Sequence, residues 1–337
     1  MILVTGGTGL LGSYLLFELT KSGKPVRALV RDVNKTDHVR KLFCLLPGAA
    51  ETQYSLIEWV EGDVLDITSI DLAMDGVDEV FHCAAMISFY RGNNAQMMKI
   101  NAGGTANIVN ACLKHGVRKL VHASSVAALG IPEKGDVIDE TAVWKPSRRN
   151  GGYAISKYSA EREVWRGIEE GLTAAIVNPC VILGVSYKSV IANLIFYNLK
   201  RLNIFYTLGR TSYVDVRDVA SAMILLMDNE ISAQRFLISS ESMSYKEFIG
   251  SGAEILGKRK PFIPVGRLWL EIVWRLNYLF SLITRTKPLF TTETIRPLSS
   301  ETKYSSEKFR KSFGYSFIPV KQSLADGFRL LSQFEEK

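Results

Sequence analysis

The sequence predicts an α/β protein: a doubly wound parallel sheet carrying a smaller, mostly helical C-terminal lobe. Three observations carry that prediction. Short apolar runs alternate with longer helical patterns through the first half of the chain, the mark of βαβ units. A glycine cluster separates the first apolar run from the first helical stretch. After Pro179 the alternation loosens and helices take over. The chain has 337 residues, 47% of them hydrophobic, enough to fill a large core.

Taken in order, Ile2–Val4 is the first strand and Leu10–Lys21 the first helix. Val26–Val30, Leu56–Val60 and Glu79–His82 follow as the second, third and fourth strands. A helix over Ile100–Leu113 stops near His115-Gly116, where glycine supplies a C-terminal signal. Lys119–Ala123 is the fifth strand, Tyr153–Glu169 a long helix closed by Gly171, and Thr173–Val177 the sixth strand. Beyond Pro179, Val190–Tyr206 reads as an apolar helix, and Val214–Leu226 starts extended and turns helical. Arg235–Ser239 returns to the sheet. Helices are expected over Tyr245–Leu256, Leu268–Ile283 and Ser323–Phe334. The division that follows is a sheet domain of residues 1–178 and 207–239, with a substrate lobe of 179–206 and 240–337.

Composition narrows the function. Cys44, Cys83, Cys112 and Cys180 lack CxxC spacing and read as thiols in a reducing compartment. His38, His82, His115 and His122 form no ligand pair, so no metal is expected. The net charge is +7, but the cations are spread out and form no run interleaved with aromatics, which argues against nucleic acid. The N-terminus enters a strand at once, without the pattern of a signal peptide. Leu268–Ile283 carries Glu271 and Arg275 and is too short and charged for a membrane span. A cytoplasmic protein is expected.

Gly6-Gly7-Thr8-Gly9-Leu10-Leu11-Gly12 stands where a strand gives way to a helix. Glycines there allow a tight turn and let backbone N–H groups reach a pyrophosphate at the helix N-terminus. The string fits both GxGxxG and GxxGxxG, so its spacing identifies a Rossmann dinucleotide turn without subdividing it. Folds that hold NAD place a carboxylate at the end of the second strand, on the ribose 2′-OH. Here Val30 occupies that place, Arg31 follows and Lys35 is one turn on. A guanidinium favours a 2′-phosphate, so NADP is expected, with NAD the alternative through Asp32.

Tyr153-Ala154-Ile155-Ser156-Lys157 sets a phenol and an ammonium one helical turn apart on one face. A fixed cation lowers a phenol pKa, which suits proton exchange with a carbonyl or alcohol. Ser124 and Ser125 close the fifth strand at the sheet's carboxyl edge. One of them can hold the substrate oxygen, and Ser125 is the choice; the other is a turn or cap residue.

The ordered set of the glycine turn, Gly62-Asp63-Val64, His82-Cys83-Ala84-Ala85, Asn101, Ser125 and Tyr153/Lys157 resembles the extended short-chain dehydrogenase/reductase family. Its members include dihydroflavonol 4-reductases, 3β-hydroxysteroid dehydrogenases and nucleotide-sugar epimerases. The resemblance covers most of residues 1–240 and continues weakly through Lys303–Lys308 and Phe313-Gly314-Tyr315. It implies that Gly6, Thr8, Gly9, Leu10, Leu11 and Gly12 cradle the cofactor phosphates. It implies further that Asp63 and Val64 meet the adenine, that Ala84 and Ala85 line the channel, and that Lys157 also binds the nicotinamide ribose. Backbone around Pro179 and Val181 would hold the carboxamide. Asn101 would support a proton relay or else mark a helix kink. A homodimer is the family habit.

Three readings of the function follow. The first is a reductase or dehydrogenase of an apolar carbonyl or alcohol. The second is a nucleotide-sugar epimerase, gripping a pyrophosphate through Arg148, Arg149, Lys188 or Arg210. The third, a non-catalytic NADP-binding regulator, is disfavoured by retention of Tyr153, Lys157 and Ser125. A 4,6-dehydratase is disfavoured by Val126-Ala127 where such relatives carry an Asp-Glu pair. The helix at 268–283 is apolar on most sides and must be covered, by the lobe itself, a second copy, an apolar substrate or a membrane surface. Lys258, Arg259, Lys260, Arg267, Arg285 and Lys287 flank it, so a peripheral membrane contact through 258–287 is among the expectations.

Overall fold

A computed structural model describes every residue except 47, 49, 50, 131–136, 148, 149, 188, 189, 202, 203, 285–292, 294, 296, 297 and 337. Seven strands form one sheet in the spatial order Gln234–Ile238, Ala174–Pro179, Lys119–Ala123, Glu79–His82, Ile2–Thr5, Val26–Val30 and Ile57–Glu61. Every pairing in it is parallel. The central strands Lys119–Ala123 and Ala174–Pro179 are buried along their whole length, which is why they read as mostly apolar runs, interrupted only by the buried Lys119, His122 and Asn178, rather than as alternating ones.

Two cores cover the two faces. On one, helices Leu10–Thr20 and Val216–Asp228 pack Leu15, Leu16, Val219 and Met223 against the sheet. On the other, helices Gly104–Lys114 and Gly152–Glu169 contribute Ile108, Cys112 and Val164. Strand order reverses between Ile2–Thr5 and Glu79–His82, and the carboxyl ends of these neighbours open the crevice where such sheets bind ligands.

The doubly wound parallel sheet expected from the sequence is therefore present, with three local differences. The helix expected from Ile100 starts earlier, with an α-helical turn at Asn94–Met97, passes through a π-helical turn over Met98–Gly103 and is α-helical again from Gly104. The helix expected to reach Tyr206 ends at Arg201. Phe205–Thr207 is instead a strand paired with Ile263–Val265, as its aromatic and β-branched residues favour. A further sheet of Val181–Leu183, Arg210–Asp215 and Glu241–Ser244 was not foreseen. Among the described residues no helix is long and apolar enough to cross a membrane, and all four cysteines are free.

Candidate active site

The glycine turn leaves no room for side chains. Gly6 has a left-handed φ of 73°, and a Cβ there would meet the backbone of Cys83 and Ala84 at 2.7 Å. A Cβ on Gly12 would lie 2.2 Å from the Gly6 carbonyl oxygen. Gly9, which donates its N–H to that oxygen at 2.9 Å, is the N-cap of the first helix and offers no side-chain acceptor. The first-turn N–H groups stay available for an anion. The turn thus fits a dinucleotide pyrophosphate. Gly12→Ala is expected to destabilise the fold by about 1–3 kcal/mol through overpacking and to weaken dinucleotide binding; thermal unfolding and a fluorescence titration measure the two.

A hydrogen-bond chain ties this turn to the rest of the crevice. The Ala84 N–H donates to Thr5 Oγ1 at 3.2 Å, and Thr5 Oγ1 lies 2.7 Å from His82 Nδ1. His82 Nε2 lies 3.0 Å from Thr105 Oγ1, whose hydroxyl donates to the Asn101 carbonyl at 2.6 Å. Because Thr105 has given its only proton to Asn101, it accepts from Nε2–H, and Nδ1 accepts from Thr5. Burial, helped by the Lys157 charge, pushes His82 down to about 3, so the ring stays neutral and holds this tautomer. Asn101 sits in the π-helical turn, a feature frequent at functional sites. Its amide donates to the Met86 carbonyl and to Ser156 Oγ, both at 2.9 Å, and accepts from Met86 N–H at 2.7 Å. It holds the loop after the fourth strand against the long helix.

The three chemistry-bearing residues converge at the carboxyl end of Lys119–Ala123. Tyr153 and Lys157 lie on Gly152–Glu169. The Tyr153 hydroxyl lies beside Ser125, which acts to lower its pKa, and Lys157 Nζ donates to the Ala123 carbonyl at 2.8 Å. Ser125 Oγ also accepts from Ala127 N–H at 3.1 Å and caps the turn Val126–Ala128. Ser124 plays the structural part, donating to Glu161 Oε2 at 2.7 Å.

The expectation that Lys157 lowers the phenol pKa needs correcting. Burial raises the Tyr153 pKa, and the opposing influence is Ser125. The ammonium is committed to the Ala123 carbonyl, and burial brings Lys157 itself down to about 8, with Glu161 and Cys83 pulling the other way. The phenol is therefore held in its protonated form at neutral pH.

Behind these groups lies a network that the sequence reading missed. Glu161 is buried and takes four donors: Ser124 Oγ, Asn178 Nδ2 at 2.7 Å, Arg235 Nη1 at 3.0 Å and Trp165 Nε1 at 3.3 Å. Asn178 Nδ2 also donates to the Ser125 carbonyl at 3.0 Å. The signal was there: Tyr153, Lys157 and Glu161 recur every four residues on one helical face.

The remaining expected residues fall around the same crevice. Asp63 and Val64 follow the third strand, where Asp63 accepts from Leu65 N–H at 2.9 Å and Val64 is buried against Gly104. Pro179 ends the strand beside Gln234–Ile238, and Val181 opens the next strand exposed. Arg31 is exposed at the end of the second strand. Asp32 is engaged: it accepts from Asn34 N–H and Nδ2 at 3.1 Å and faces Lys35 at 3.9 Å. Exposed Ile87 and Phe89 give the rim an apolar edge, the Phe89 ring standing 6.0 Å from that of Tyr153. Arg210 is bonded to the Ser242 carbonyl at 2.8 Å and to Glu247 at 3.4 Å. Arg148, Arg149, Lys188, Arg285 and Lys287 lie outside the described residues.

Comparison with known proteins gives a consistent result. The sequence pattern of the NAD dependent epimerase/dehydratase family matches residues 2–238. A putative dihydroflavonol 4-reductase of Synechocystis sp. is 29% identical, over 96% of this chain and 92% of that protein. Sterol demethylase protein B of Methylococcus capsulatus is 28% identical, over 96% of both. The crystal structure of a UDP-glucose 4-epimerase from Thermotoga maritima superposes with a TM-score of 0.74 and 20% identity, over 98% of each chain; at that identity it speaks for the fold alone.

Proposed function

The chain belongs to the NAD dependent epimerase/dehydratase family, and on that premise we propose that it is an NADP-dependent reductase of an apolar carbonyl compound. The family is NAD(P)-dependent and acts on carbonyl and alcohol groups of small molecules. The observation that carries the finer reading is the placement of Tyr153: part-buried beside Ser125, with desolvation raising its pKa, it is poised to give a proton rather than to take one.

The residues divide the work as follows. Gly6, Thr8, Gly9, Leu10, Leu11 and Gly12 receive the pyrophosphate; Asp63, Val64, Ala84 and Ala85 flank the adenine end and the channel; backbone at Pro179 and Val181 meets the carboxamide. The bound nicotinamide supplies the hydride. Ser125 Oγ orients the substrate oxygen, and the Tyr153 hydroxyl donates its proton to that oxygen. Lys157 contributes a positive charge beside them and a donor for ribose hydroxyls. Asn101 fixes the Met86 loop and Ser156, and so the pitch of the helix that carries both Tyr153 and Lys157. Oxidation of an alcohol uses the same groups in reverse.

Preference for NADP rests on Arg31, exposed where a 2′-phosphate would arrive, and on Asp32, already engaged by Asn34 and Lys35. Arg31→Ala is expected to weaken NADPH by roughly 10–100-fold, the loss of one charge-assisted hydrogen bond, and to leave NADH unchanged. An equal loss for both cofactors refutes the assignment. The apolar substrate rests on Ile87 and Phe89 at the rim. Two related proteins are named for a flavonoid reduction and for sterol demethylation. Titration with NADPH and NADH, followed by a panel of apolar carbonyls read at the nicotinamide absorbance and of sugar nucleotides read by chromatographic separation of the epimers, tests the whole reading. Turnover of a sugar nucleotide alone would favour the epimerase.

A further inference from the structure

The helix Arg267–Thr284 turns an apolar face to the outside. Leu268, Trp269 and Leu276 are 76%, 64% and 61% exposed, and Ile272 and Val273 are exposed as well. At about 100° per residue these five fall within an arc of roughly 140°. The helix already has an inner side, where Leu270 is buried, so the outer arc is additional. It continues into the ribbon that leads to the helix, in which Phe205 and Ile263 are cross-strand partners. Both are exposed, as are the adjoining Ile204 and Phe262.

Charge around this face is predominantly positive, with Lys260 paired to Glu254 at 3.2 Å. Between residues 258 and 277 stand Lys258, Arg259, Lys260, Arg267 and Arg275, with Glu271 the sole carboxylate, a local net of +4. Arg275 neutralises Glu271 at 3.1 Å and borders the apolar arc. A second copy of the chain docked on this face about a two-fold axis would set the cations against themselves. An anionic bilayer instead offers phosphate and carboxylate headgroups to the cations and hydrocarbon to the arc. Exposed Trp269 is the residue type that prefers the boundary between them.

We infer that Arg267–Thr284 and the ribbon before it seat the protein on an anionic lipid surface, lying on the bilayer rather than spanning it. The chain beyond this helix returns to the reaction centre. Nine residues beyond Thr284, Glu293 accepts from the Gly152 N–H at 3.1 Å, beside Tyr153. A lipid-dissolved substrate would meet the crevice from this side, a consequence that rests on the apolar-substrate reading; the docking itself does not.

The test is co-sedimentation of the full chain with phosphatidylcholine vesicles, with and without about 30% phosphatidylserine. Binding should be at least tenfold stronger to the anionic vesicles at low salt, should fall as salt rises, and should shift tryptophan emission to the blue. The triple variant Leu268→Asp, Trp269→Asp, Leu276→Asp should lose sedimentation, and Arg259→Glu with Arg267→Glu should lose its preference for phosphatidylserine. Both sets should keep NADPH binding, which reports an intact sheet. Three outcomes overturn the proposal: no binding to anionic vesicles at low salt, binding unaffected by the apolar substitutions, or a dimer in sedimentation velocity that those substitutions dissociate. Because NADPH binding and turnover are read separately, failure of docking and failure of the reductase reading are distinguishable.

Discussion

Tyr153→Phe lowers turnover by about 10²–10⁴-fold, the range for losing a positioned general acid, and leaves NADPH binding and the unfolding midpoint in place. The phenyl ring keeps its place beside Phe89; only the hydroxyl, and with it the influence of Ser125, is lost. A drop confined to kcat and kcat/KM together marks an interaction made in the transition state. The wild-type reduction should run evenly through neutral pH, where burial keeps the phenol protonated. It should fall on the alkaline side as Lys157, at about 8, gives up its charge. A phenylalanine variant that retains most of its activity removes Tyr153 from the chemistry, and the glycine turn would then describe a nucleotide-binding fold without this reaction.

Much of this architecture could be read from the chain because the physics behind it is local or periodic. Parallel strands buried on both faces appear as largely apolar runs with few polar residues, and the strands Val26–Val30, Glu79–His82 and Lys119–Ala123 have the bounds expected of them. Gly6 and Gly12 are legible because backbone meets backbone there, and no other residue type satisfies the contact. Regions decided by distant partners were opaque. The strand Phe205–Thr207 exists because Ile263–Val265 lies beside it, a pairing that a window of a dozen residues does not contain. The extra hydrogen-bond step at Asn101 comes from loop and helix meeting at Met86 and Ser156. The phenol pKa failed for a different reason. Spacing placed Lys157 on the correct face, but its ammonium turns to the strand carbonyl of Ala123, and burial outweighs a charge that is itself weakened.

Glu161→Gln is expected to act on stability and on the pH profile at once, and the second effect separates positioning from mere support. The carboxylate receives two donors on each oxygen, with Arg235 the only formal charge among them. An amide presents one acceptor and turns its own N–H groups toward the other two donors. The cost is about 3 kcal/mol, the low end for breaking a buried ion pair, because Arg235 keeps the carbonyls of Glu140 and Ala142. The negative charge also raises the Lys157 pKa against the lowering by burial. The other titratable groups facing that lysine are Cys83, whose thiol burial pushes up to about 12, and the neutral His82 and His122. None replaces the lost carboxylate. Lys157 should therefore deprotonate at lower pH in the variant, carrying the alkaline limb of kcat/KM down with it. The acid side should stay where it was. Loss of stability with an unmoved alkaline limb would reduce Glu161 to a packing role and detach Lys157 from the rate.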